Sequence, residues 1–255
     1  MKTFIKNRSW EKVSVLVEKS ENQRGLVFVM HWLGGFKKVP MIRAFIKPFL
    51  DNNFTVVSFD TTNSIWESDW KFEDATTTNY YNDLEDVIKW SNNQDFYNEP
   101  FYLVWHSLWW ISISLFAQKY PNKVKALAPI SSVITWQLSI DKENKEKIKN
   151  WKETGWYIRE SKSMPWLIKK LKWSHMEDRL KYDLLKDAKK LTMPILLLVW
   201  EKDEVTPLKH QKLFFDKLDW EKELNVINNA WHSFVKEEEF EEIYNIFDKW
   251  IKKVN

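Results

Sequence analysis

The stretch Phe101-Tyr102-Leu103-Val104-Trp105-His106-Ser107-Leu108-Trp109-Trp110, followed by Ile111 to Lys119, decides how this chain folds. An apolar run with strand propensity passes into a serine, and the serine into a segment whose apolar residues recur at helical spacing. A serine at a sharp strand-to-helix turn is the setting of a nucleophile, written G-x-S-x-G. The turn is strained so that Oγ projects above the sheet, and the flanking backbones approach too closely for side chains, which is why the pattern asks for glycine. Here the flanking positions are Trp105 and Trp109. Taken alone, the segment reads equally well as a helix with Ser107 as its N-cap.

Outward from it, short apolar runs alternate with helical segments. Strands are predicted at Val13 to Val17, Leu26 to Met30, Thr55 to Phe59, Phe101 to Val104, Val124 to Ile130, Ile195 to Val199 and Leu224 to Ile227. Helices are predicted at Met41 to Leu50, Tyr80 to Trp90, Ile111 to Lys119, Leu208 to Leu218 and Phe240 to Ile251. That alternation is the signature of an α/β fold, a mostly parallel sheet with helices on both faces. From 132 to 190 it breaks into lysine- and aromatic-rich sequence without buried-strand runs. The expected organisation is a core of 1–131 and 191–255 with a small cap, 132–190, inserted after the strand ending at Ile130.

The 255 residues, 44 % of them hydrophobic, suffice for one such domain. A formal charge of +3, from 39 basic and 36 acidic residues spread along the chain, carries no footprint of a nucleic-acid or membrane-surface binder. A small neutral or weakly charged molecule is the expected partner. With no cysteine, disulfides, thiolate metal sites and cysteine nucleophiles are excluded. No signal-peptide pattern opens the chain and no run approaches the roughly 18 apolar residues of a membrane span, so the expected location is cytoplasmic. Neither H-E-x-x-H, nor carboxylates at ligand spacing, nor a Gly-rich phosphate loop occurs, and no metal or cofactor is expected.

Three further stations follow predicted strands: His31-Trp32-Leu33-Gly34-Gly35, then Trp200-Glu201-Lys202-Asp203-Glu204-Val205-Thr206-Pro207, then Asn229-Ala230-Trp231-His232-Ser233-Phe234. They resemble the HG-x-G-G oxyanion loop, the G-x-x-D-x-x-x-P acid segment and the G-H-S-F base segment of α/β-hydrolases, in that fold's order of Ser, Asp, His. Over nearly its full length the chain resembles this superfamily, and within it the small bacterial esterases related to feruloyl and cinnamoyl esterases. Phe59-Asp60 and Ser64-Ile65-Trp66-Glu67-Ser68-Asp69-Trp70 are similar to that group's F-D-x-x-G-x-G-x-S-x-G stretch.

The resemblance implies Ser107 as nucleophile, His232 as base and Asp203 as the acid that orients it, with the backbone N–H groups of Leu33 and Leu108 as oxyanion donors. Glu201 and Glu204 flank Asp203, but only Asp203 stands at the acid position. His31 and His106 are expected to make structural hydrogen bonds, His210 to be solvated and His175 to lie on the cap surface. The implied substrate is a carboxylic ester, with a short acyl or hydroxycinnamoyl-like group. The alternatives are a monoacylglycerol-lipase-like or peptidase-like hydrolase, or a non-catalytic binding protein of the same fold.

One anomaly runs through every motif. The chain has 4 glycines and 17 tryptophans, where glycine usually makes up about 7 %. Tryptophan stands where the family pattern has glycine at Trp32, Trp66, Trp70, Trp105, Trp109, Trp110, Trp200 and Trp231, and in turns that favour glycine at Trp10 and Trp220. Some bacteria assign UGA to glycine whereas a common alternative table assigns it to tryptophan, so translation through the wrong table would produce this pattern. Trp90 and Trp250, on apolar helix faces, are expected to be genuine; Trp136, Trp151, Trp156, Trp166 and Trp173 lie in the cap, where the pattern does not decide. Indoles at 105 and 109 are expected to distort or block the elbow.

Overall fold

Apolar runs bounded by turns form the middle of one eight-stranded sheet. In the computed structural model, which describes all residues except 32, 108–109, 141–144, 161–167 and 233–235, the strands are β1 (Lys2–Lys6), β2 (Lys12–Glu18), β3 (Gly25–Met30), β4 (Phe54–Asp60), β5 (Phe101–His106), β6 (Val124–Ile130), β9 (Ile195–Trp200) and β10 (Lys222–Ile227). Their order is β1-β2-β4-β3-β5-β6-β9-β10. β1 and β2 join antiparallel and all pairings from β4 to β10 are parallel. Every residue of β3, β4 and β5 is buried, as strands covered on both faces must be. β1 is absent from the sequence expectation because it is an edge strand: of its five residues only Ile5 is buried, so it shows no apolar run.

Helices α1 (Pro40–Asp51) and α8 (Glu237–Val254) cover one face, packing Phe45, Phe49, Phe247 and Trp250 against β3, β4 and β5. On the other face lie α2 (Thr77–Ser91), α3 (Trp110–Lys119) and α7 (Leu208–Lys217). Among the described residues no helix is long and apolar enough to cross a membrane.

Between β6 and β9 the chain leaves the sheet to form α4 (Trp136–Ile140), α5 (Lys145–Thr154), an antiparallel hairpin of β7 (Trp156–Glu160) and β8 (Ile168–Lys172), and α6 (Ser174–Arg179). The hairpin agrees with the absence of buried-strand runs from this stretch of the sequence. Only Lys169 and Leu171 of its ten strand residues are buried, so the pairing leaves no buried-strand signal in the sequence. Trp136, Trp151, Leu171 and Met176 join the core beneath, and Asp178 accepts hydrogen bonds from Thr78 N and Thr78 Oγ1 on α2.

Successive connections place β4 on one side of β3 and β5 on the other. Where the winding reverses, loops leave the strand ends in opposite directions and open a crevice above the carboxyl ends of β3 and β5. Both the His31 to Gly35 loop and Ser107 emerge there.

Candidate active site

Ser107 follows β5 directly, is 4 % exposed and has φ 69°. Left-handed backbone is costly for any residue with a side chain, and here it marks the sharp turn expected of a nucleophile elbow. Ser107 Oγ lies 2.7 Å from His232 Nε2, and His232 Nδ1 lies 2.7 Å from Asp203 Oδ2. The three residues come from the ends of three parallel strands, β5, β9 and β10.

Asp203 is fastened on every side. Its Oδ1 accepts from the N–H groups of Val205 and Thr206, both at 2.8 Å, and its Oδ2 from Thr206 Oγ1 at 2.7 Å. Burial alone would raise its pKa, but the His232 hydrogen bond and charge and the Thr206 donors outweigh burial and hold the carboxyl well below the usual range. An ionised Asp203 favours the proton on Nδ1, which leaves the Nε2 lone pair facing the Ser107 hydroxyl. The arrangement is equipped to take a proton from that hydroxyl as it attacks. Thr206 was not singled out from the sequence; its place three residues after the acid is its only signal.

His106 is buried with its ring centroid 5.5 Å from that of His232. Burial first, and then His232, hold its pKa well below 6.5, so it stays neutral beside the His232 imidazole. Its Nε2 accepts from Trp200 Nε1 at 3.4 Å. His31, also buried, accepts from Thr61 N at 3.3 Å and so ties the end of β3 to the end of β4. Two histidine expectations are corrected. His175 is fully buried, with Nδ1 2.7 Å from Ala75 O and its ring stacked on Trp151, and His210 is buried on α7. In each case the polar neighbourhood in sequence concealed a tertiary contact.

Leu33 is buried in the turn after β3, beside Gly34 at φ 68°. Leu108, Trp32 and Trp109 lie outside the described residues, and Trp110 opens α3. The other motif tryptophans divide sharply. Trp105 and Trp200 are buried, the Trp105 indole donating to His31 O at 2.5 Å. At the end of β5 the Trp105 indole turns into the core and Ser107 Oγ keeps its contact with His232 Nε2, while the part of the expectation that concerns Trp109 lies outside the described residues. Trp66, Trp70 and Trp231 are exposed, Trp66 stacked on Phe36 at 4.5 Å. Trp10 and Trp70 have φ of 61° and 75°, backbone suited to glycine; Trp220 is exposed.

Two lysines absent from the sequence reading shape the loop after β3. Lys37 is fully buried: its N–H donates to Asp60 Oδ1 at 2.7 Å, and its Nζ to Asp60 Oδ2 at 2.5 Å, Glu67 Oε2 at 2.8 Å and Ser14 Oγ at 2.8 Å. The stretch after β4 is thereby clasped to the loop that carries Leu33. Lys169, on β8, donates to Gly34 O at 3.0 Å. Among the described residues no group of three or more His, Asp or Glu side chains is gathered to hold a metal.

Sheet order, winding reversal and the succession of Ser107, Asp203 and His232 at strand ends define an α/β-hydrolase fold. A family model described as serine aminopeptidase, S33, matches residues 156–239, which include Asp203 and His232 but not Ser107. Among solved structures, Est1E from Butyrivibrio proteoclasticus with ferulic acid bound is similar at TM-score 0.83 and 19 % identity, covering 98 % of each chain. The mouse alpha/beta hydrolase domain-containing protein 10 is similar at TM-score 0.80 and 18 % identity over 100 % of both chains. A monoacylglycerol lipase of Paleococcus ferrophilus is similar at 0.77 and 18 %, covering 95 % of this chain and 99 % of its own. No curated protein matches the sequence.

Proposed function

We propose that the chain hydrolyses carboxylic esters through an acyl-enzyme on Ser107. The observation that carries the proposal is the pair of 2.7 Å contacts linking Ser107 Oγ, His232 and Asp203 at a left-handed serine. In this reading Ser107 Oγ attacks the ester carbonyl while His232 Nε2 takes its proton, and the Leu33 and Leu108 N–H groups receive the oxyanion. Collapse expels the alcohol, protonated by His232, and leaves the acyl group on Ser107. Water, deprotonated by the same imidazole, then releases the acid and restores the serine. Asp203 holds the imidazole and stabilises its charged form without itself taking the proton.

Ester chemistry is supported by the similarity to Est1E and to a monoacylglycerol lipase. The aminopeptidase description raises a second reading, in which the substrate presents an α-ammonium group. Lys169, at the loop after β3, and Arg159 beside it would repel such a group, which favours the ester.

The test is labelling by a fluorophosphonate together with turnover of p-nitrophenyl esters of rising chain length and of an aminoacyl p-nitroanilide. Labelling confined to Ser107, with ester turnover exceeding anilide turnover, is the expected result. An unlabelled, inactive protein overturns it in favour of a non-catalytic binding protein, and preferential anilide turnover in favour of a peptidase.

A further inference from the structure

Strand β8 carries a buried cation that meets no anion among the described residues. Lys169 is 6 % exposed, and among the described residues its three N–H bonds have one acceptor, Gly34 O at 3.0 Å. The Phe72 ring centroid lies 6.0 Å from the ammonium. The hairpin register places Arg159 of β7 directly opposite Lys169, so both cations point to the same face, with Tyr157 and Leu171. Like charges facing each other across two strands oppose the pairing, and among the described residues neither makes an ion pair. The residues joining β7 to β8 hold no acid. Burial, and then Arg159, push the Lys169 ammonium down to about 8, and among the described residues no carboxylate offsets them. Removing a charge from water without a partner is expensive, so this pair is suited to an anion supplied from outside the chain.

Its place says whose anion. Gly34 follows Leu33, and two residues of chain reach at most about 7 Å; with the 3.0 Å bond to Gly34 O, Lys169 Nζ therefore lies within about 10 Å of the Leu33 N–H. A Cβ at Gly34 would meet that Nζ at 2.8 Å.

We infer that Lys169 and Arg159 form a subsite for an anionic group, a carboxylate or phosphate, carried by the substrate several bonds from the scissile carbonyl. The inference rests on the ester-hydrolase reading and narrows its substrate to charged esters. It also revises the sequence expectation of a neutral or weakly charged partner, which followed from overall charge and not from where the charges sit.

The test uses matched pairs. Monomethyl glutarate against methyl pentanoate places a carboxylate on the acyl side; butyrylglycerol phosphate against butyrylglycerol places a phosphate on the alcohol side. The charged member of at least one pair is expected to show a kcat/KM about tenfold higher at low ionic strength, as a charge-assisted contact implies, and the pair showing it identifies the source. Lys169→Met should erase that ratio, chiefly through KM, and Lys169→Arg should keep it. Arg159→Gln, at an exposed position, should lower it about threefold. If Lys169 merely fastens the hairpin to Gly34, Lys169→Met slows both members together and the ratio stays. An unchanged ratio, or preference for the neutral member in both pairs, overturns the subsite. Should no ester turn over at all, the hydrolase reading falls, and calorimetric binding of the same pairs to Ser107→Ala protein still decides: tighter binding of a charged member, lost in the Lys169→Met double variant, upholds the subsite, and equal binding ends it.

Discussion

The Trp105 indole donates to the carbonyl of His31 at 2.5 Å, which joins the residue two before Ser107 to the residue two before Leu33. β3 and β5 are paired up to Met30 and Trp105, and this bond extends the coupling beyond the last strand pairing into the two loops of the site. At a position where the family pattern has glycine, an indole thus acts as a brace.

The three tryptophans at 10, 70 and 105 are expected to respond oppositely to glycine. Trp105→Gly empties a fully buried site and should cost about 3–5 kcal/mol. Trp10→Gly and Trp70→Gly relieve left-handed backbone at exposed positions and should each stabilise by about 1 kcal/mol. Chemical denaturation measures all three. A Trp105→Gly protein as stable as the parent would show that the indole contributes nothing to the packing.

The gene offers an independent check on the glycine deficit. Translation through the wrong table requires UGA at codons 32, 66, 70, 105, 109, 110, 200 and 231, and UGG at codons 90 and 250. UGG at the elbow codons would establish the tryptophans there as genuine.

Replacing Ser107, the proposed nucleophile, should separate activity from stability. Ser107→Ala is expected to lower ester kcat by about 10⁴-fold or more, and His232→Ala comparably, with a smaller loss for Asp203→Asn. Ser107→Gly should be equally inactive yet more stable than the parent by about 1 kcal/mol, because it removes the strain at φ 69°. Retained turnover in Ser107→Ala removes the proposed mechanism.

Lys37 neutralises Asp60, which like it is fully buried. Lys37→Met leaves that carboxylate without its partner and should destabilise by about 3–5 kcal/mol, whereas adding Asp60→Asn should recover part of the loss. Thermal unfolding of the single and double variants reads the coupling. Additive losses would mean that the pair does not hold the two loops together.

Asp83 sets a pH dependence of stability. It is fully buried on α2 and accepts from Asn7 Nδ2, Thr62 N and Thr62 Oγ1. Burial outweighs those donors and pushes its carboxyl up to about 6, against roughly 3.9 when unfolded. Between those values the folded chain holds the extra proton. The group's stabilisation is therefore full below about pH 4 and is lost as pH rises through about 6. Relative to Asp83→Asn, the parent should be about 2–3 kcal/mol more stable at pH 4 than at pH 7. A difference that does not vary with pH would refute the assignment.

The sequence made the central strands legible because parallel strands buried on both faces leave apolar runs, as in Leu26 to Met30. It made Ser107, Asp203 and His232 legible because each stands just beyond such a run. β1 and the β7–β8 hairpin escaped notice, their residues being mostly exposed and their pattern carried by lysines. His175 and Lys169 look like surface residues in sequence and are buried only because the insertion folds back onto the body. Lys37 is hidden for a different reason: its partners Asp60 and Glu67 are distant in the chain.

The contact of Lys169 with Gly34 joins a residue of the insertion to the loop that carries Leu33. A designer who exchanges the insertion for another would therefore alter more than the shape of the pocket. The graft must bring a residue able to occupy the space above Gly34, or the loop loses its outer support and the rate changes along with the selectivity. Position 34 is constrained in turn, because any side chain there displaces the lysine. Two sites 135 residues apart in the chain behave as one unit of redesign.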